Sequence, residues 1–422
     1  MEVKPGYKRT EVGVIPEEWE CLPIADLAAP VANAIVGGPF GSDLVSADYV
    51  HDGVPVIRGQ NMGARYLEGP FAYVTEAKAN SLAANLARPG DVVFTQRGTL
   101  GQVSLTPSEP FDRYLVSQSQ MKVSLHRDRV TPNFLFSWSE SNEGQQSIAS
   151  SAIQTGVPHI NLGILKSLMV PVPPVAEQRA IATALSDVDS LLTQLDQFIA
   201  KKRDIKQAAM QQLLTGKTRL PGFAGEWGES YLGECLINRP SYGINAPAVP
   251  FSDRLPTYLR ITDIDEYGRV SSGTRVSVAH RLAHDFLLSS GDLVFARTGA
   301  SVGKSYLYSP EDGELVFAGF LIRIRPDAGR LNPAFLAAYV QSGSYWQWVR
   351  VMSMRSGQPG INGNEYAQLP IPLPPIEEQT DIATLLADLD AELAALDARR
   401  AKTRALKQGM MQELLTGRTR LI

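Results

Sequence analysis

The second half of this 422-residue chain repeats its first at a constant offset of 201 residues. Leu213-Leu214-Thr215-Gly216-Lys217-Thr218-Arg219-Leu220 returns as Leu414-Leu415-Thr416-Gly417-Arg418-Thr419-Arg420-Leu421. Pro173-Pro174 returns as Pro374-Pro375, Glu177-Gln178 as Glu378-Gln379, and Ile160-Asn161 as Ile361-Asn362. From Pro173 to Leu220, 27 of 48 positions match their counterparts without a gap. A repeat of this length is a whole domain plus a helix used twice, not one turn of a solenoid. Upstream the two copies share only short anchors. One part of each unit is therefore held constant while the other varies, as in a frame that carries two different recognition surfaces.

The constant parts predict long helices. Pro171-Val172-Pro173-Pro174 is an extended entry, because proline restricts itself and the residue before it. Apolar residues then fall at Ile181, Leu185, Val188, Leu192, Leu195 and Ile199 in a 4-3-4-3-4 row. The second copy has Ile382, Leu386, Leu389, Leu393 and Leu396, with Arg400 in place of Ile199. Such a row is a coiled-coil seam rather than a broad globular face. Gly216 and Gly417 stand where left-handed C-terminal caps belong. A helix over 176–214 would be roughly 58 Å long, so a second helix returning beside it must run antiparallel.

The expected division is a first globular domain over 1–170, a long helix within 171–217, a second globular domain over 218–370, and a second helix within 371–422. In the globular parts Val54–Arg58, Asp91–Phe94, Thr257–Ile261 and Asp292–Phe295 read as strands, and Pro132–Ser141 and Pro333–Val340 as helices. The class is α+β: two tandem α/β recognition domains joined by two long helices that form an antiparallel coiled coil with pseudo-two-fold symmetry. The first repeat runs on from Arg219 through Pro221-Gly222-Phe223 to Trp227, whereas the second stops at Ile422. The matching continuation lies at the other end, from Tyr7 to Trp19, as in a ring cut open.

Composition narrows the function. No apolar run approaches the ~20 residues of a membrane span, the first residues carry no apolar leader, and Cys21 and Cys235 form no disulfide framework; the chain reads as cytoplasmic. The net charge of −4 includes no strongly basic segment, although a nucleic-acid binder usually carries a basic face. Local arginines or a charged partner would then have to compensate. Catalytic motifs are missing. Gly299-Ala300-Ser301-Val302-Gly303-Lys304-Ser305 has three residues between its glycines where a phosphate loop needs four, and a strand pattern follows where a helix is required. His280 and His284 lack a third ligand, and no Gly-x-Ser-x-Gly elbow occurs.

In its ordered motifs the chain resembles the specificity subunits of type I restriction–modification systems. The resemblance rests on Tyr7…Gly13-Val14-Ile15-Pro16…Trp19, on the Gly37–Ser42 loop, and on Gly-Asp-x-Val-Phe at 90–94 and 291–295. The Pro-Pro-x-x-Glu-Gln helix starts and the twin Leu-Leu-Thr-Gly-Lys/Arg-Thr-Arg-Leu endings complete it. It implies a subunit without catalysis or cofactor of its own, whose two domains each read one half of a bipartite site on double-stranded DNA. The paired helices would set the gap and dock two modification (methyltransferase) subunits. S-adenosylmethionine, ATP and magnesium would be used by those partners and by the restriction/translocase subunits. Base-edge and phosphate contacts favour Arg, Lys, Gln, Asn and glycine backbone. The expected DNA-binding residues are Gly38, Pro39, Phe40, Gly41, Ser42, Arg58, Gln60, Asn61, Gln96, Arg97 and Thr99 in the first domain. In the second they are Arg260, Thr262, Arg297, Thr298, Lys304, Arg355 and Gln358. Two other readings stay open on residues alone: a specificity chain serving a fused methyltransferase–nuclease, and a coiled-coil scaffold whose domains bind protein or sugar.

Overall fold

The computed structural model describes residues 4–271, 273, 275–354 and 358–421. The chain forms two compact units. One comprises Met1–Asp196 with Arg399–Ile422, and the other Gln197–Ala398. Each unit holds one sheet-rich domain and parts of both long helices, so the fold is α+β with helical segments.

In the first unit an antiparallel sheet runs in the order Val103–Leu105, Val92–Thr95, Gln120–Val123, Ile35–Gly37. A second, mixed sheet includes a parallel pair, Val54–Ile57 with Tyr114–Val116. The second unit repeats both features. Its antiparallel sheet runs Ser241–Tyr242, Leu321–Ile324, Leu293–Ala296, Ser305–Leu307, and its parallel pair is Thr257–Leu259 with Leu315–Phe317. Val92–Thr95 and Leu293–Ala296 are buried along their whole length, which is why they read as unbroken apolar runs rather than alternating ones.

The Gly-Asp turns ahead of these strands are structural. Gly90 and Gly291 have φ of 87° and 85°, conformations that suit glycine. Asp91 accepts from the Arg88 amide and faces Lys122 at 3.5 Å. Asp292 accepts from the Ser289 amide and grips Arg325 through two bonds, at 2.6 and 2.8 Å.

The long helices are Val175–Leu213 and Ile376–Leu414, 39 residues each. Their Glu-Gln starts are joints with the domains. Gln178 accepts from the Thr131 amide and donates to the Arg129 and Pro173 carbonyls, all at 2.8 Å. Gln379 does the same with Asn332, Arg330 and Pro374. Glu177 accepts two bonds from Arg420, at 2.6 and 2.9 Å, and one from the Trp19 indole at 3.0 Å. Glu378 accepts from Arg219 at 2.7 and 2.6 Å and from Trp227 at 3.1 Å. All four Glu and Gln side chains are wholly buried. In the first unit the Tyr7 hydroxyl also donates to the Gly417 carbonyl. The segment 7–19 thus gives Glu177 and Arg420 the tryptophan that the first repeat carries downstream of its own Arg219. Gly216 and Gly417 have the expected positive φ, 68° and 70°.

The apolar row divides differently from a single seam. Ile181 and Leu185 pack in the first unit's core with Met411, Leu414 and Leu415. Ile382 and Leu386 pack in the second unit's core with Met210, Leu213 and Leu214. Leu195 and Ile199 are buried, while Val188, Leu192, Leu389, Leu393 and Leu396 are half-buried. Ion pairs flank this middle stretch. In the first unit Asp189 meets Lys407 at 2.6 Å and Asp196 meets Arg400 at 3.0 Å. In the second, Asp390 meets Lys206 at 2.6 Å, Glu392 meets Lys202 at 2.8 Å and Asp397 meets Arg203 at 3.2 Å. Within the first unit, partner numbers fall on one segment as they rise on the other, so the helices there are antiparallel. At its ends the row is therefore shared between the domain core and the end of the other helix, because the same face meets both there.

Candidate nucleic-acid interface

The loops that follow the buried strands are drawn together by backbone hydrogen bonds. In the first domain Gly38 N donates to Gln120 O, Gln96 N to Ser119 O, and Ile160 N to Gln96 O. In the second, Gly243 N donates to Leu321 O, Arg297 N to Phe320 O, and Ile361 N to Arg297 O. These bonds explain the repeated Ile-Asn anchor. Its isoleucine docks a distal loop on the strand end, and Asn161 and Asn362 cap the helices that follow. Each domain therefore presents a cluster of loops on one frame.

Glycine is required where two loops touch. A Cβ on Gly38 would collide with the Ser117 carbonyl, and one on Gly243 with the Phe317 carbonyl. Beyond Gly38, Pro39 is buried, Gly41 and Ser42 are exposed, and Phe40 is 84% exposed. The loop is held from behind by Gln118, whose Nε2 donates to the Gly41 carbonyl at 3.0 Å.

The polar residues separate into committed and uncommitted groups. Asn61 is wholly buried: its Oδ1 accepts from the Arg58 amide, and its Nδ2 donates to the Glu68 and Pro70 carbonyls. It shapes the turn rather than facing solvent. Arg260 is tied bidentately to Asp263 at 3.0 and 2.7 Å, and this hydrogen-bonded pairing raises the arginine's pKa. The exposed Thr262 leans on the same Asp263 at 3.3 Å. Lys304 donates to the Ile264 carbonyl. Arg58 stands where Arg260 does, but no carboxylate pairs with it among the described residues, and its Nε is buried without a hydrogen-bond partner. Gln60 is exposed and makes only a long 3.4 Å bond to Pro70. Gln96 is half-buried, and Arg97 and Thr99 are exposed.

In the second domain the structure brings Arg297, Thr298 and Gln358 together. Gly299 N donates to Pro359 O, and the Gln358 amide lies over Gly299. Arg355 lies outside the described residues. Tyr242 and Phe320, absent from the expected set, flank Arg297; their rings lie 5.1 and 5.7 Å from its guanidinium carbon. They are 42% and 53% exposed. Nothing in the local sequence distinguishes an exposed ring from a core one, so these two residues could be found only from the fold.

No group of three or more His, Cys, Asp and Glu suited to a metal ion occurs among the described residues. The His280 ring accepts from the Leu282 amide beside it. Gly299–Ser301 forms a single 3-10 turn that leads into the strand Ser305–Leu307. None of the helices described is long and apolar enough to cross a membrane.

The sequence family described as the type I restriction modification DNA specificity domain matches residues 16–207 and 266–403. Among curated proteins the chain is similar to the putative type I restriction enzyme MjaX specificity subunit of Methanocaldococcus jannaschii. That match is 22% identical over 439 residues, covering 99% of this chain and 97% of the relative. It is also 24% identical to the EcoBI specificity subunit of Escherichia coli over 411 residues, covering 91% and 83% of the two chains. Its fold resembles that of the type I restriction–modification S subunit from M. genitalium, with a TM-score of 0.57 at 16% identity and 98% of both chains covered. With matched segments in both of its units, this chain belongs to the type I restriction–modification DNA specificity family.

Proposed function

We propose that each of the two recognition domains reads one half of a bipartite, asymmetric site on double-stranded DNA, and that the helix pair sets the gap between the halves. The chain is the recognition subunit and leaves the chemistry to its partners. Two modification subunits carry S-adenosylmethionine and methylate adenine, and restriction/translocase subunits use ATP and magnesium. The assembly works in the cytoplasm. The observation that carries this reading is the contrast between frame and loops. Buried joints at Glu177-Gln178 and Glu378-Gln379 make the same bonds in both units, whereas the loop clusters differ in chemistry on equivalent backbones. Two unlike readers on one repeated mount suit a two-part, asymmetric target.

The net charge of −4 fits a reader that depends on its assembly. Phosphate neutralisation supplies most non-specific DNA affinity, and much of this chain's positive charge is tied to carboxylates. The modification subunits then supply the remaining charge by closing around the duplex. The test is a map of N6-methyladenine after co-expression with the neighbouring methyltransferase, with and without this gene. A bipartite motif that disappears with the gene is expected. Unchanged methylation by an active partner would overturn the reading.

A further inference from the structure

We infer that the position shared by Gln96 and Arg297 selects a base in each half-site: Arg297 reads a guanine in the second domain, and Gln96 reads an adenine in the first. This rests on the reading of the two domains as DNA readers. The two residues occupy one backbone setting. Gln96 N donates to Ser119 O at 2.7 Å and its carbonyl accepts from Ile160 N at 3.1 Å. Arg297 N donates to Phe320 O at 3.1 Å and its carbonyl accepts from Ile361 N at 2.9 Å. The neighbouring strands keep the same register, with Met121 opposite Gly37 and Ile322 opposite Tyr242. Only the side chains differ.

Around Arg297 two rings form a mount. Phe320 is the residue whose carbonyl accepts the Arg297 amide proton, and Tyr242 is itself fixed by accepting from Gly363 N at 3.1 Å. The Arg297 Nε is buried without a hydrogen-bond partner, and no described carboxylate pairs with the guanidinium. Arg260, Arg323 and Arg325 of the same domain all face aspartates. A guanidinium held by aromatic faces, with its donors uncommitted, is pre-ordered for a planar, two-acceptor partner. Guanine offers that pair in the major groove as O6 and N7. A phosphate would need neither the fixed plane nor the rings.

In the first domain the equivalent positions are Gly37 and Ser119, and neither supplies a ring. The Gln96 side-chain oxygen lies 3.6 Å from where a Cβ on Gly37 would be, and its side-chain amide makes no hydrogen bond among the described residues. An amide with a free donor and a free acceptor matches adenine N6 and N7. The same mount thus carries two different base readers.

The test uses the complex with its methyltransferase: methylomes of wild type, Arg297→Gln, Arg297→Lys and Gln96→Arg. Wild-type chain giving no gene-dependent motif would sink the proposed function itself and is scored separately. With a motif in hand, Arg297→Gln is expected to weaken discrimination at one G·C pair of one half-site by about 5- to 150-fold, leaving the other half-site and the gap unchanged. Gln96→Arg should alter one A·T position of the opposite half. A uniform fall in methylation with full discrimination retained would make Arg297 a phosphate contact and overturn the inference, as would an unchanged motif. If Arg297→Gln methylates nothing, Arg297→Lys decides. Relaxed discrimination at that single pair supports the assignment, and undiminished discrimination refutes it.

Discussion

Replacing Glu177 by alanine tests whether the helix joint is held by its buried carboxylate. The wild-type side chain accepts three bonds, two from Arg420 and one from Trp19, and both Glu177 and Trp19 are wholly buried. Glu177→Ala leaves the indole N–H without an acceptor in the core, at a cost of about 1–3 kcal/mol. Arg420 loses its main partner but keeps Glu18 at 3.0 Å, and its side chain is 27% exposed. Its contribution is therefore nearer that of a surface pair, about 0–1 kcal/mol. The sum is about 1–4 kcal/mol, which overlaps only the lower part of the range for breaking a buried pair. For a unit of some 200 residues that corresponds to a fall of about 2–16 °C in Tm. Scanning calorimetry of the full chain measures it, and hydrogen exchange in 7–19 and 410–421 shows whether the joint is what loosens. Arg420→Ala made on top of Glu177→Ala should add little, because the two act as one unit. A shift below about 1 °C, or fully additive losses, would refute the argument.

Gly38→Ala places a methyl group against the Ser117 carbonyl, so the loop bearing Phe40 must move. Methylome mapping should show relaxed or lost recognition in one half-site only, and a change in both halves would contradict local action. The Lys206–Asp390 pair lies at 2.6 Å and is partly exposed, so Lys206→Glu should cost about 1 kcal/mol. Lys206→Glu with Asp390→Lys should restore the loss, as read by urea unfolding. The single variant's penalty should shrink toward zero in ~1 M salt, where screening acts within about 3 Å; a salt-independent penalty would point to packing instead.

The frame was legible because each of its contacts occurs twice and needs a particular chemistry. Glu177 and Glu378 are both buried acceptors for an arginine and a tryptophan, and Gln178 and Gln379 both close the same triangle of backbone groups. Those demands leave few alternatives, so the residues repeat at a fixed offset. The helices were equally plain, and the difference there concerns what the apolar row touches. Periodicity reports a buried face but not what covers it; Ile181 and Leu185 share one core with the domain and with Met411 and Leu414 of the other helix.

The candidate interface was legible only in part, because a residue's type does not say what its polar atoms already hold. Arg58 and Arg260 occupy the same turn after the same strand. One side chain has no carboxylate partner among the described residues while the other is clasped by Asp263, three residues along, and sequence gives no rule for when an arginine folds back. Asn61 looks like a base reader until its amide is seen to be spent on Arg58, Glu68 and Pro70. Tyr242 and Phe320 escape for the opposite reason, since an exposed ring leaves no periodic trace. What separates frame from reader is the state of the hydrogen-bonding groups. Frame residues are buried and satisfied, whereas Gln96 and Arg297 are half-buried, fixed through their backbones, and left with side-chain groups unpaired. An unpaired group is costly in a core, and at a surface held ready for DNA the duplex itself supplies the missing partner.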